Sequence, residues 1–152
     1  MRKGRSRFFI RRISELLKGF LLSDNSPHKV AGGLALGVFL GLFPTFGIGG
    51  VAAVGIAHIL RLNKAAALAG LAILNPLTYP IFYPLFYIVG MIVTGTNLDT
   101  TIEGIKKLAV GEVAVVYIAG NIVVSSVMSV ITYFVSLRIA RSIVRRRHRH
   151  LE

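Results

Sequence analysis

Apolar residues fill three long runs of this chain, at 30–60, 65–95 and 113–137, and charged residues stand between and outside them. No Asp, Glu, Lys or Arg interrupts any of the three. About 20 residues suffice to cross a hydrocarbon core of about 30 Å, so the first two runs are too long for one straight span. The first is V-A-G-G-L-A-L-G-V-F-L-G-L-F-P-T-F-G-I-G-G-V-A-A-V-G-I-A-H-I-L, with Gly41, Pro44, Gly47, Gly49 and Gly50 at its middle. Proline removes an amide donor, and glycine admits backbone angles that a helix does not use. The pattern predicts two half-helices, 30–43 and 47–60, folded on a break at Pro44-Thr45-Phe46. Irregular backbone at membrane depth survives only where protein or a water-filled cavity covers it, so this break is the first candidate for function.

The second run is broken too. Small side chains fill 65–74, then Asn75-Pro76-Leu77-Thr78-Tyr79-Pro80 interrupts them, with Pro84 a turn later. Pro76 keeps Asn75 out of the helical region. Asn75 and Thr78 therefore stand where a helix unwinds, and Tyr79, Tyr83 and Tyr87 follow at intervals of four. Such a stripe either packs against a neighbour or lines a path; spacing does not separate the two. The third run has the length of one unbroken span. Its polar residues Tyr117, Asn121, Ser125, Ser129, Thr132 and Ser136 share one helical face. They form either the wall of a polar pathway or a helix–helix seam.

Shorter signals punctuate these runs. Ser26 followed by Pro27 reads as an N-cap and first helical residue. His28 and Lys29 then fall in the first turn, where cations oppose the helix dipole unless an anion such as a lipid phosphate sits among the amides. The plainer reading has Lys29 reaching for the membrane interface. Gly33, Gly37 and Gly41 form a small-residue ladder that lets another helix backbone approach. His58 precedes a second basic cluster, Arg61-Leu62-Asn63-Lys64. Residues 1–22 place Phe9, Ile13, Leu16, Leu17 and Phe20 at helical spacing among charges, as an amphipathic helix lying in the interface does. Residues 96–112 are the long polar connection, where Thr100 and Glu103 have the form of a capping box.

Composition fits one all-α, polytopic membrane domain: the 152 residues are 54% hydrophobic and 16% charged. There is no cysteine, hence no disulfide, thiol nucleophile or thiolate metal site. The net charge of +12 does not point to nucleic acid. Seven basic residues lie between Arg2 and Lys18 and six between Arg138 and Arg149, flanking apolar runs where anionic headgroups and cytoplasmic retention account for them. No cleavable signal is expected, and Leu151-Glu152 reads as an appended pair. Topology follows from charge. If 30–60 spanned once, the near-neutral loop would be inside and the arginine-rich tail at 138–150 outside, against the positive-inside bias. If 30–60 is a re-entrant hairpin, both termini and Arg61-Lys64 are cytoplasmic. Then 65–95 crosses once with a break, 96–112 is external, and 113–137 returns.

The string S-P-H-K-V-A-x-G-x-A-x-G-V-F-x-G-x-x-P-x-x-G, then R-L-N-K, then N-P-L-T-Y-P, resembles the domain of unknown function family 2062 over about residues 27–132. The marked positions are Pro27, His28, Gly37, Gly41, Pro44, Gly47, Asn63, Asn75, Pro76 and Thr78. Gly49 departs from the pattern, where many members carry Gln. The resemblance implies a prokaryotic membrane protein, here of the inner membrane. Fusions of some members to glycosyltransferase domains hint at lipid-linked sugars or their phosphates.

Two elements broken at bilayer depth are features of channels and transporters. The expected function is passive transport of a solute or lipid, with a pathway at Pro44, Thr45, Gly47, Gly49, Asn75, Thr78, Tyr79, Tyr83, Asn121 and Ser125. His28, Lys29, Arg61 and Lys64 are candidates for anionic lipid headgroups. No Asp or Glu lies in an apolar run to couple transport to protons or sodium. The alternative is a scaffold for lipid-handling enzymes, without transport. An enzyme would need an acid, base or nucleophile set that these residues do not offer, and no metal or cofactor is expected. So few crossings enclose little, which predicts a homodimer or higher homo-oligomer with the glycine ladder or the 121–136 stripe at its seam.

Overall fold

The structure is a computed structural model that describes residues 26–45, 47–73, 79–96 and 110–148. Within them lie five α-helices and no strand: α1 (Pro27–Leu42), α2 (Gly49–Ile59), α3 (Lys64–Ile73), α4 (Tyr79–Thr94) and α5 (Val110–His148). The all-helical expectation holds, and the first run is interrupted at Pro44–Gly47 as expected; the expected break at Asn75-Pro76 lies outside the described residues. The expected helices at 1–22 and in the 96–112 connection lie outside the described residues, as do Phe46, Asn75, Pro76 and Thr78.

The helix boundaries have local causes. Ser26 is extended and Pro27 opens α1, although the Ser26 hydroxyl makes no cap bond; the Lys29 and Val30 amides donate to its carbonyl instead. Phe43 is extended at φ −73°, ψ 140°, as the residue before a proline must be, and this stops α1. The Ile48 amide then donates to the Thr45 carbonyl at 3.0 Å. Gly47 has φ +91° at the third position of that turn, where only glycine is at ease. Pro84 sits inside α4 without ending it. From Asn121 onward α5 contains no glycine or proline, so it runs 39 residues, well past the end of the apolar stretch.

Helix directions follow from which backbones touch. A Cβ on Gly33 would strike the Asn63 carbonyl, and one on Gly37 the Ala67 carbonyl, so α1 and α3 run parallel with their backbones in contact. Gly70 meets the Leu34 carbonyl from the other side. Between them α2 returns, burying Ala53 and Ala57 against Leu40 and Ala67. On its opposite flank α1 packs antiparallel to α5, with Leu42 level with Asn121 and Ala35 with Ser129. Helix α4 is antiparallel to α5 as well: Gly90 abuts the Val116 carbonyl and Gly120 the Phe86 carbonyl. Phe86, Val38, Leu42 and Val124 close the core where α1, α4 and α5 meet.

The surface is apolar. Val51 is 79% exposed and Ile59 77%, and Ile122, Val127, Ile131 and Val135 are all exposed on α5. Among the described residues one helix is long and apolar enough to cross a membrane, α5 over Gly111–Ser142, and only 28% of its most apolar stretch is buried. The buried polar side chains, by contrast, are Asn63, Asn121 and Ser125.

Gly37→Ala should lower the midpoint of thermal unfolding in detergent, since the Ala67 carbonyl it would meet belongs to a packed helix; about 1–3 kcal/mol is the usual cost of overpacking. Gly55→Ala, with open space around it, should be neutral or stabilising by up to about 1 kcal/mol through helix propensity. Equal effects of the two would contradict the α1–α3 contact.

Candidate functional site

The turn 43–48 forms the tip of the α1–α2 hairpin, and the end of α3 at Ile73 lies beside it; residues 74–78, between α3 and Tyr79 of α4, lie outside the described residues. Because α1 and α3 are parallel and in register, both helices end at about the same level. Gly49, the first residue of α2, is buried and approaches Leu71 near the end of α3 and the Thr45 hydroxyl. Pro44 and Thr45 are half-buried, while Gly47 and Ile48 are exposed. Thus Pro44, Thr45, Gly47 and Gly49 stand together at the tip. Tyr79 opens α4.

The tip reaches only part of the way along α5. With 16 residues, α1 rises about 24 Å, against about 58 Å for the 39 residues of α5. Leu42 is its last residue, and its carbonyl has lost the helical partner that would follow. Asn121, fully buried, donates to it from Nδ2 at 2.8 Å. The Ser125 hydroxyl lies 3.4 Å from the Asn121 Oδ1, and the Ser129 hydroxyl donates to the Ala35 carbonyl at 2.9 Å. Ser136 turns back to the Thr132 carbonyl of its own helix. Asn121 and Ser125 therefore sit inside the α1–α5 seam with their polar atoms engaged. Tyr83 and Tyr87 both pack on Tyr117 of α5, at ring separations of 5.7 and 5.5 Å. Tyr83 is still exposed along one edge.

At the other end of the hairpin the basic residues converge. The Asn63 amide donates to the Lys29 carbonyl at 3.1 Å, which sets the α2–α3 corner beside the start of α1. Asn63 is buried and caps α3, its Oδ1 accepting from the Ala66 amide at 2.8 Å. His28 reaches across to α5, with Nδ1 2.9 Å from the Tyr133 hydroxyl and Nε2 3.0 Å from Arg141 Nη2. Arg61, Lys64, Lys29 and Arg138 are exposed at this same end. Arg61 is left-handed at φ 53°, in the residue after the α2 C-cap. The Leu62 amide donates to the Ala57 carbonyl and the Arg61 amide to the His58 carbonyl, the two bonds of a Schellman motif. Glycine is the ordinary occupant of that position, so an arginine there is held at a cost in backbone energy.

Sequence patterns left some of this unseen. Gly90 and Gly120 belong to no small-residue ladder on their helices, and only the α4–α5 pairing reveals why neither carries a side chain. Tyr133 and Arg141 gave no signal as partners of His28, which lies 105 and 113 residues away. Among the described residues no three His, Asp, Glu or Cys side chains are grouped to hold a metal ion.

An all-helical chain with a bent-back apolar hairpin, a second broken apolar segment and one long apolar helix is the class these features define. The chain belongs to the family described as an uncharacterized protein conserved in bacteria (DUF2062), whose pattern matches residues 10–149. No curated protein and no solved structure matches it.

Asn121→Ala should cost about 1–3 kcal/mol, the penalty for a buried carbonyl left without its donor. Denaturant titration in mixed micelles reads this directly. Ile122→Ala, on the exposed neighbouring face, should stay within about 0.5 kcal/mol.

Proposed function

We propose that the chain is an integral protein of the bacterial cytoplasmic membrane and acts as a passive translocator of lipid headgroups. In this reading α1–α2 is a re-entrant hairpin, α3 and α4 together cross once, and α5 returns. The inverted polarity of the molecule supports the membrane assignment: aliphatic side chains cover the outside of α2, α4 and α5, while asparagine and serine are buried. The core helix of a soluble domain would be mostly enclosed. The shared level of Lys29, Asn63 and Arg141 supports a topology with the start of α1, the α2–α3 corner and the end of α5 all on one side. The excess of arginine and lysine there favours the cytoplasmic side.

One observation carries the functional reading: the α1–α2 turn lies part-way along α5, beside the end of α3. Helices α1 and α3 end and α2 begins there, so helix termini of both polarities face one region, as at the sites of membrane transporters. Gly47 and Ile48 are exposed on the apolar perimeter rather than enclosed. A polar turn open to the side suits a lipid, whose headgroup can pass while its chains stay in the bilayer. No Asp or Glu lies within the apolar runs to couple this to an ion gradient. The basic end, with His28, Lys29, Arg61 and Lys64, would collect anionic headgroups before entry. A second reading, a scaffold that assembles lipid-handling enzymes or further copies of itself, draws support from the closed hydrogen bonds of Asn121, Ser125 and Ser129. The glycine ladder and the 121–136 stripe, both expected at an oligomer seam, are largely used within the chain, so self-association would engage other faces.

The chain has no cysteine, so Leu62→Cys gives a single reporter for topology. A membrane-impermeant maleimide should label it from the cytoplasmic side only; labelling from the periplasm would rule out the re-entrant hairpin. Vesicles reconstituted with the protein should exchange fluorescent phospholipid between leaflets. Thr45→Val and Asn75→Ala should slow the exchange about tenfold, near 1.4 kcal/mol of barrier, while unfolding midpoints stay close to wild type. Protein that inserts and folds but moves no lipid would leave the scaffold reading.

A further inference from the structure

We propose that His28, Tyr133 and Arg141 form a proton-linked cradle for a phosphate group, supplied by an anionic lipid headgroup. The proposal names the ligand chemistry of the basic end and rests on the headgroup reading above.

The protonation state follows from the geometry. A guanidinium only donates hydrogen bonds. With Arg141 Nη2 3.0 Å from His28 Nε2, that ring nitrogen is the acceptor and carries no proton. The neutral imidazole then keeps its proton on Nδ1 and donates it to the Tyr133 oxygen, 2.9 Å away. Tyr133 retains its own hydroxyl proton for another acceptor. Arg141 directs a charged donor at an imidazole where a carboxylate would be the ordinary partner.

No carboxylate is within reach among the described residues. Their one acidic side chain is Glu112, near the opposite end of α5, 29 residues and about 44 Å from Arg141. Among the described residues the charged groups around His28 are all cationic: Lys29 beside it on α1, Arg138 and Arg141 on α5, and Arg61 and Lys64 at the α2–α3 corner. The described part of this end thus presents donors and positive charge without a carboxylate. A phosphate accepts the two-pronged guanidinium fork and the phenol proton together.

Proton uptake follows from the exchange of partners. When Arg141 turns to the phosphate, His28 Nε2 loses its donor. One proton from solvent then binds Nε2, and the imidazolium becomes a further donor to the anion; no proton moves to the phosphate itself. Phosphate binding and protonation of His28 therefore favour each other equally, as linkage requires.

The test is nitrogen NMR of 15N-histidine protein in nanodiscs, with the His28 signals assigned through His28→Gln. In phosphatidylcholine near neutral pH, His28 should be the neutral Nδ1–H tautomer. Phosphatidylglycerol at the same pH should raise its imidazolium signal about twofold or more. Arg141→Gln should abolish this response. Tyr133→Phe, which keeps the ring, should weaken it without unfolding the protein. Adding inorganic phosphate to phosphatidylcholine discs separates the sources: no response supports the lipid, and a full response reassigns the cradle to the free anion. An Nε2–H tautomer, or a His28 indifferent to both phosphate sources, would overturn the proposal. Lipid exchange is read separately, so its absence in vesicles with an intact His28 response would refute translocation and leave the cradle standing.

Discussion

The structure depends on α1 being gripped by backbone contact on one side and by hydrogen bonds on the other. Against α3 it has given up side chains at Gly33 and Gly37, so that helix carbonyls and helix backbone meet directly. Against α5 its own carbonyls, at Ala35 and Leu42, receive Ser129 and Asn121. In an apolar surround there is no hydrophobic gain in pressing one aliphatic helix on another, so close approach and polar bonds are what remain to hold helices together. The short helix is thereby fixed in depth and direction. The turn at Pro44 and the start of α2 inherit that placement.

Both ends of the hairpin gain their character from this grip. At the tip, α3 runs beside α1 and ends with it, which brings Ile73 to the level of the Pro44 turn although some thirty residues of sequence separate them. At the base, Asn63 joins the α2–α3 corner to Lys29, and His28 joins α1 to α5. Basic residues from three parts of the chain are gathered there. Arg61 at the same corner is left-handed, in a position where glycine is the usual occupant.

The breaks were legible because proline and glycine act locally. Ser26-Pro27 marked the start of α1, Pro44 and Gly47 its turn, and the small residues after Lys64 a tightly packed helix. The ladder at Gly33 and Gly37 announces a close helix but not which one; the neighbour is α3 of the same chain. Pairings across long separations left no trace in the pattern. Gly90 and Gly120 explain each other only once α4 and α5 are side by side. The polar stripe from Asn121 to Ser136 was readable as a face, yet whether it met water or a carbonyl depended on where α1 ended. The apolar stretch ends near residue 137, and the helix runs on through the basic tail to His148, as expected, because arginine is a good helix former and no breaker intervenes.

The limited reach of the hairpin has a geometric consequence. Around Lys29, Asn63 and Arg141 four helices (α1, α2, α3 and α5) share a cross-section, whereas at the far end, among the described residues, only the close of α4 and the opening of α5 remain. Set in a bilayer as proposed, the described residues take up more area in one monolayer than in the other, and lipids beside the narrower half would have to tilt to fill the difference.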